Sequence, residues 1–200
     1  GVPGVKAGQV TILGGGVVGT EAAKMAIGLG AVVTILDVNV DRLNQLGELF
    51  GSRVDLRYSN ASEIEELLPH TDLLIGAVLI PGKRAPVLVS RPQVGQMLPG
   101  AVIMDVAIDQ GGCVETLRVT SHSQPSYVEA GVVHVGIPNM PGAAPWTATQ
   151  ALNNSTLPYV LKLATLGEKA WENDLPLAKG VNVQAGKLVQ PAVQTVFPDL

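Results

Sequence analysis

Between Gln9 and Thr20 an apolar run, Val10-Thr11-Ile12-Leu13, stops on three consecutive glycines, and a helical pattern begins directly after them. Gly14, Gly16 and Gly19 stand in G-x-G-x-x-G spacing, which in a strand-turn-helix makes a dinucleotide site. The first glycine permits the tight turn. The second lets the backbone approach a pyrophosphate, and the third lets the helix pack hard against the strand. The new helix aims its free N–H groups and the positive end of its dipole at the phosphates.

The rest of the chain supplies the context this motif needs. Val10–Leu13 is apolar throughout, as expected of a parallel strand covered on both faces. Residues 17–29 read as a helix with Val18, Ala22, Met25, Ala26 and Leu29 as its apolar stripe and Gly30 as its cap. A strand follows over 31–36, a helix over 41–50 ended by Gly51, and a strand over 54–58. Residues 61–68 read as a short acidic helix with Ser62 and Glu65 in capping-box register. A strand over 71–79 ends in the small residues Gly76 and Ala77, which leave room for a flat ligand. The loop from Ile80 to Pro86 carries Lys83 and Arg84 and reads as solvated. A short helix over 90–98, a strand over 101–106 and a sixth short strand over 132–135 complete the pattern. Residues 147–166 are helical, with Pro158 expected to kink or split the helix. A further short amphipathic helix is expected over 167–177. Strands alternating with helices predict an α/β fold, a doubly wound, mostly parallel sheet of the Rossmann type, with a C-terminal helical extension. Residues 1–146 are expected to form the dinucleotide-binding domain and residues 147–200 the helical segment.

Composition narrows the function classes. With 46% hydrophobic and 15% charged residues, the 200-residue chain is not a disordered one. Its net charge of −4 argues against nucleic acid or an anionic membrane as the main partner. Cys113 is the single cysteine, so no intrachain disulfide and no cysteine cluster for metal is expected; this fits a reducing, cytoplasmic location. No apolar run approaches the roughly 18 residues of a membrane span, and the first residues do not read as a signal peptide. They read as a linker entering a domain, and the chain begins with Gly rather than Met, so a segment upstream is expected.

Asp37 is the main support for the glycine motif. It lies 18 residues after Gly19 at the end of the next strand, where an acidic residue accepts hydrogen bonds from the adenosine ribose hydroxyls. A carboxylate there repels a 2′-phosphate, favouring NAD over NADP, although Arg42 places a cation five residues on. At the carboxyl edge of the sheet the strand over 101–106 runs into Ala107-Ile108-Asp109-Gln110-Gly111-Gly112-Cys113. Asp105 lies within the strand pattern, and a structural and a chemical role stay equally open for it. Asp109 lies past the strand end and is the better acid/base candidate. His70, His122 and His134 show no metal-binding spacing; His134, on a buried-looking strand, reads as a core histidine and Cys113 as packing. A dehydrogenase also needs a cationic clamp for its substrate, and nothing here supplies one.

Four stretches, Leu13–Thr20, Asp72–Gly82, Asp105–Gly112 and Asn139–Gly142, closely resemble alanine dehydrogenase, in the same order and with compatible spacing. The resemblance covers essentially the whole chain but only the cofactor-binding domain and C-terminal segment of that family. It implies hydride transfer from Cα of L-alanine to NAD, giving an imine that water hydrolyses to pyruvate and ammonium. It further implies that Gly14, Gly16 and Gly19, with Val17 and Val18, hold the pyrophosphate. By the same resemblance Asp37 binds the adenosine ribose with Arg42 beside it, where the family often has lysine, and Ser59 lies near the adenine. Val78 and Leu79 line the path to the nicotinamide, Val106 and Asp109 flank it, and Asn139 and Met140 close its pocket. Asp109 is then the acid/base residue. The family's N-terminal substrate domain, which carries the arginine, lysine and histidine of the active site, is absent from this chain, so the 200 residues alone are expected to be inactive. The intact assembly is implied to be a hexamer. Two other readings remain: a non-catalytic NAD-binding or sensing module, and a domain like the alpha subunit of proton-translocating transhydrogenase. An in-frame upstream substrate domain of about 130 residues would separate the enzyme from the module.

Overall fold

The computed structural model describes residues 2–80 and 84–198. Lys83, in the loop singled out above, lies outside the described residues, as do its neighbours Pro81 and Gly82. The chain divides into two compact units, Gly1–Asn139 and Met140–Leu200.

The first unit is built on seven strands: β1 (Gln9–Leu13), β2 (Val32–Asp37), β3 (Val54–Tyr58), β4 (Leu73–Gly76), β5 (Val102–Asp105), β6 (Tyr127–Glu129) and β7 (Val132–Val135). They lie in the order β3-β2-β1-β4-β5-β7-β6. All pairings are parallel except β6 with β7. Helices α1 (Val17–Gly28), α2 (Val40–Phe50), α3 (Ala61–Leu67) and α4 (Arg91–Val94) connect them. The chain runs outward from β1 through β2 to β3, then returns to the other side of β1 to lay down β4 and β5. The strand order therefore reverses between β1 and β4. In open α/β sheets the crevice at the carboxyl ends of such a reversal is where ligands bind.

The side-chain alternation of a strand explains why the central runs β1, β2 and β4 are mostly apolar. Ile12, Ile35 and Ile75 enter one buried cluster with Ala23, Ala26, Leu46 and Phe50. Their neighbours Leu13, Leu36 and Leu74 enter a second, with Ile64, Leu68, Val94 and Ile103. Both faces of the sheet are covered.

Several local expectations are corrected. The expected apolar stripe of α1 faces the core only in part: Ala26 is buried and Ala22 packs against the core, but Val18, Met25 and Leu29 are 45, 64 and 75% exposed, and the other buried residues are Gly19, Thr20 and Ala23. The helix lies so close to the sheet that only small side chains fit beneath it. Helix α3 is capped by Asn60, whose side chain accepts from Glu63 N, not by Ser62. Strand β4 stops at Gly76, and the helix expected over 90–98 is the single turn α4, closed by a capping box between Ser90 and Gln93. The antiparallel edge strand β6 was not expected at all.

In the second unit, α5 (Pro145–Leu166) runs unbroken through Pro158, so the proline does not split it. None of its residues is buried, and Leu152, Leu157, Val160 and Leu161 are exposed. Residues 167–177 do not form one helix: a 3-10 turn over Gly167–Trp171 is followed by α6 (Leu175–Gly180), capped by Asp174, which also pairs with Lys162. A short hairpin, β8 (Val183–Gln184) with β9 (Lys187–Leu188), and α7 (Pro191–Val196) end the unit.

Candidate functional site

The three glycines meet three different constraints. Gly14 has φ +101°, and a Cβ there would lie 2.7 Å from the carbonyl oxygen of Ala77. Only glycine suits that backbone and that approach to the strand end of β4. Gly16 caps α1 with φ −64° and no side-chain bond to the helix amides, and no heavy atom lies within 4 Å of where its Cβ would stand. A Cβ on Gly19 would fall 1.9 Å from the carbonyl oxygen of Gly14, so this glycine holds the helix against the turn. Thr20 reinforces the junction by donating its hydroxyl to the carbonyl of Gly16 at 2.7 Å. Val17 and Val18 open the helix and are exposed.

Asp37, the last residue of β2, is tied to the same turn. Its Oδ2 accepts from Gly15 N at 2.7 Å and its Oδ1 from Asn39 N at 2.8 Å. Each carboxylate oxygen keeps a further lone pair for a hydroxyl donor. Arg42, from α2, reaches back over the turn: Nε donates to the carbonyl of Gly15 at 2.7 Å, Nη2 to Thr20 Oγ1 at 2.8 Å and Nη1 to Gln45 Oε1 at 3.0 Å. The guanidinium is thus engaged with the protein's own turn. Nothing in the sequence pointed to this staple, because its partners are a backbone carbonyl and a helix-facing threonine.

A cleft of about 370 Å³ opens beside these residues, lined by Gly14, Asp37, Val38, Ser59, Val78 and Leu79 among others. Its polar groups come from the turn, Asp37 and Ser59; the rest of its walls are apolar. It lies at the strand-order reversal between β1 and β4. A glycine cradle, an uncapped helix N-terminus, a carboxylate with free lone pairs and a flat apolar slot together fit a dinucleotide.

Across β4, the end of β5 runs into a 3-10 turn over Val106–Gln110. Asp105 is fully buried, accepting from Ala107 N and Cys113 N, so its role is resolved as hydrogen bonding within the protein. Asp109 is exposed on the turn, and its two oxygens accept from Asn139 N at 3.1 and 3.4 Å. Asn139, at φ +49°, follows β7, so the ends of β5 and β7 are joined through this contact. Val106 is half-buried beside it. Met140 opens the second unit, in the 3-10 turn Met140–Ala143.

The remaining candidates are core groups. His134 is fully buried and stacks on Tyr127 with ring centroids 5.0 Å apart. The Val132 carbonyl can only accept, so His134 Nδ1 carries the proton, and Nε2 accepts from the Thr116 hydroxyl at 2.7 Å. Desolvation lowers its pKa and keeps it neutral. Cys113 is buried, and burial together with the adjacent Asp105 pushes its thiol pKa up, so it is not a nucleophile. Among the described residues, no group of three or more His, Cys, Asp or Glu is placed to hold a metal ion, and no helix is long and apolar enough to cross a membrane.

Comparison with known proteins adds an independent line. Residues 1–191 match the family model described as alanine dehydrogenase/PNT, C-terminal domain. The chain is 53% identical over 199 residues to alanine dehydrogenase 2 of Staphylococcus aureus, covering 98% of this chain and 54% of that protein. A solved L-alanine dehydrogenase superposes with a TM-score of 0.91 at 70% identity, over all of this chain and 55% of its own. A transhydrogenase from Sinorhizobium meliloti superposes with a TM-score of 0.74 at 28% identity, over 94% of this chain and 51% of its own. The chain spans about half the length of the relatives it matches.

Proposed function

Because the chain belongs to the alanine dehydrogenase/PNT C-terminal domain family, we propose that it is the NAD-binding half of an L-alanine dehydrogenase. The intact enzyme converts L-alanine, NAD and water reversibly to pyruvate, ammonium, NADH and a proton. The observation that carries this reading is the carboxylate of Asp109, exposed at the carboxyl edge of the sheet on the far side of the glycine turn from Asp37.

When bound, NAD supplies the acceptor for the hydride that leaves Cα of L-alanine. The residues of this chain bind, orient and move protons. The amides at the start of α1, with the dipole behind them, hold the pyrophosphate. Asp37 accepts from the adenosine ribose hydroxyls and rejects a 2′-phosphate by charge. Ser59 lines the adenosine side of the cleft, Val78 and Leu79 line the path toward the nicotinamide, and Arg42 fixes the turn from behind. Val106 and Asn139 border the nicotinamide end. Asp109 takes the proton from the water that adds to the imine carbon after hydride transfer, and returns it in the reverse reaction. The cationic groups that clamp the substrate carboxylate belong to a substrate domain outside this chain. The exposed apolar side chains of α5 pack on that domain, residues 147–200 forming the segment that meets it. The enzyme works as a hexamer in the cytoplasm.

The test is Asp109→Asn in the full-length protein. Turnover of L-alanine falls at least about a hundredfold, the ordinary worth of a general acid/base, while the NAD dissociation constant stays within about twofold. Wild-type turnover in this variant refutes the role. NAD binding by the full-length wild type without any turnover of L-alanine points instead to a non-catalytic module.

A further inference from the structure

Asp105 has no exposed surface, yet it carries a carboxylate at the end of the strand that leads to the catalytic turn. Both of its oxygens are used by backbone amides of one loop. Oδ1 accepts from Ala107 N at 2.9 Å, at the start of the loop, and Oδ2 accepts from Cys113 N at 2.6 Å, at its end. Between these two clamped amides lie Ile108, Asp109, Gln110, Gly111 and Gly112. The loop is thus closed at its base by one carboxylate and presents Asp109 near its crest.

The surroundings are shaped around that carboxylate. A Cβ on Gly76 would lie 2.4 Å from Asp105 Oδ1 and 2.7 Å from Cys113 Sγ, and one on Gly112 would lie 3.1 Å from Oδ2. The end of the loop is sewn onward to the segment bordering the cleft: Leu88 N donates to the Cys113 carbonyl at 2.8 Å, and Ala85 N to the Gln110 carbonyl at 3.0 Å. Leu88 and Pro86 line the cleft itself. These bonds hold the far end of the loop against the cleft wall, so a shift at its base falls on the turn that carries Asp109.

We propose that Asp105 is a positioning residue, which clamps the two ends of the 107–113 loop and so fixes the Asp109 carboxylate for proton transfer. The proposal rests on the reading of Asp109 given above. Asp105 does not touch the reacting atoms, since it is buried with both oxygens bonded inward. The clamp needs a group that accepts at both ends. An asparagine has the same shape, but in either orientation its NH2 faces one of the two N–H donors. That end of the loop is released and a buried amide is left unpaired.

The experiment uses the full-length protein and compares Asp105→Asn with Asp109→Asn. The expected result for Asp105→Asn is a loss of about ten- to a hundredfold in kcat, the scale of an ångström-sized misplacement. KM for L-alanine and the NAD dissociation constant stay within about threefold. A merely structural role moves the melting temperature but leaves kcat per folded enzyme unchanged, or it lowers kcat and NAD affinity together; either result overturns the proposal. If Asp109→Asn retains full turnover, the reading of Asp109 fails first, and the positioning role fails with it. If Asp109→Asn is inactive and Asp105→Asn turns over normally, only the positioning role fails. A second measurement needs no variant. In the wild type, the amides of Ala107 and Cys113 exchange their hydrogens as slowly as those of β4 and β5, and fast exchange at either one refutes the clamp.

Discussion

Replacing Gly19 with alanine would place a Cβ 1.9 Å from the carbonyl oxygen of Gly14, well inside any tolerable carbon–oxygen contact. Reaching an ordinary separation of roughly 3.2 Å requires a displacement of about 1.3 Å. The Gly14 side cannot easily supply it, because Gly14 N donates to the Leu36 carbonyl at 2.8 Å and the residue is wedged against Ala77. Helix α1 must therefore lift at its N-terminus, against the seating of Ala23 and Ala26. Overpacking of this kind costs about 1–3 kcal/mol, or roughly 2–12 °C in melting temperature for a chain of this size. The same lift carries the first helix amides out of the 2.7–3.2 Å range of a normal N–H···O bond, so NAD affinity falls at least about tenfold. Gly16→Ala separates the two effects. Its φ is −64° and its Cβ would meet nothing within 4 Å, so stability changes by less than about 1 kcal/mol. Yet the added methyl stands where the pyrophosphate must approach, and NAD binding falls. Thermal melts and NAD titrations of the two variants check this. A Gly19→Ala protein with wild-type melting and wild-type affinity refutes the packing argument, and a Gly16→Ala protein with unchanged affinity refutes the phosphate assignment.

Asp37→Ala is expected to weaken NAD binding and relax rejection of NADP, measured as the ratio of the two dissociation constants; an unchanged ratio rules out the ribose role. His134 makes stability depend on pH. Its folded pKa is lowered, chiefly by desolvation, so the unfolded chain binds a proton near pH 6.5 that the native protein does not. Stability is therefore full above about pH 6.5 and falls as pH drops toward the folded value, by at most about 1.4 kcal/mol per pH unit. Urea unfolding between pH 7 and 5 measures the slope, which should flatten in His134→Gln; equal slopes in both proteins would sink the assignment.

The central strands β1, β2 and β4 were legible because both their faces are buried, so apolar residues such as Ile12 and Leu13 follow one another and need no periodicity to be seen. The orientation of α1 was not. A count of apolar residues at 3–4 spacing selects Val18, Ala22, Met25, Ala26 and Leu29, whereas the face that packs is made of Gly19, Ala23 and Ala26. The third glycine of the motif was the relevant signal: a helix held that close to its strand has room only for small side chains. Size, not hydrophobicity, sets the buried face. The cap of α3 was misplaced because Asn60 and Ser62 both offer a capping oxygen, and only the backbone turn after Tyr58 decides between them. Strand β6 is three residues long, Tyr-Val-Glu, and exists through its pairing with β7, which local sequence does not encode. Asp105 was left between two roles for a related reason. Its partners are backbone amides up to eight residues away, and such partners leave no trace in residue identity.

The order of the site along the chain differs from its order in space, and the difference carries meaning. Read across the sheet, the strand ends present Ser59, Asp37, Gly14, Val78, Asp109 and Asn139, following β3, β2, β1, β4, β5 and β7. The residues assigned to adenosine fall on one side of β1, and those assigned to the reacting end fall on the other, with the glycine turn between them. Neighbouring strands stand about 4.8 Å apart, so β2 and β5, three steps apart, present Asp37 and the Asp109 turn roughly 14 Å from one another along the edge. Charge changes at one end should therefore leave the other nearly untouched. The Asp37 variant alters which nucleotide is accepted and the Asp109 variant alters turnover. At that separation, effects of single variants at the two ends combine additively to within about 0.5 kcal/mol. A double variant, Asp37→Ala with Asp109→Asn, whose NAD affinity departs from that of Asp37→Ala by more than this would mean that the two ends are not the independent halves of one cofactor site.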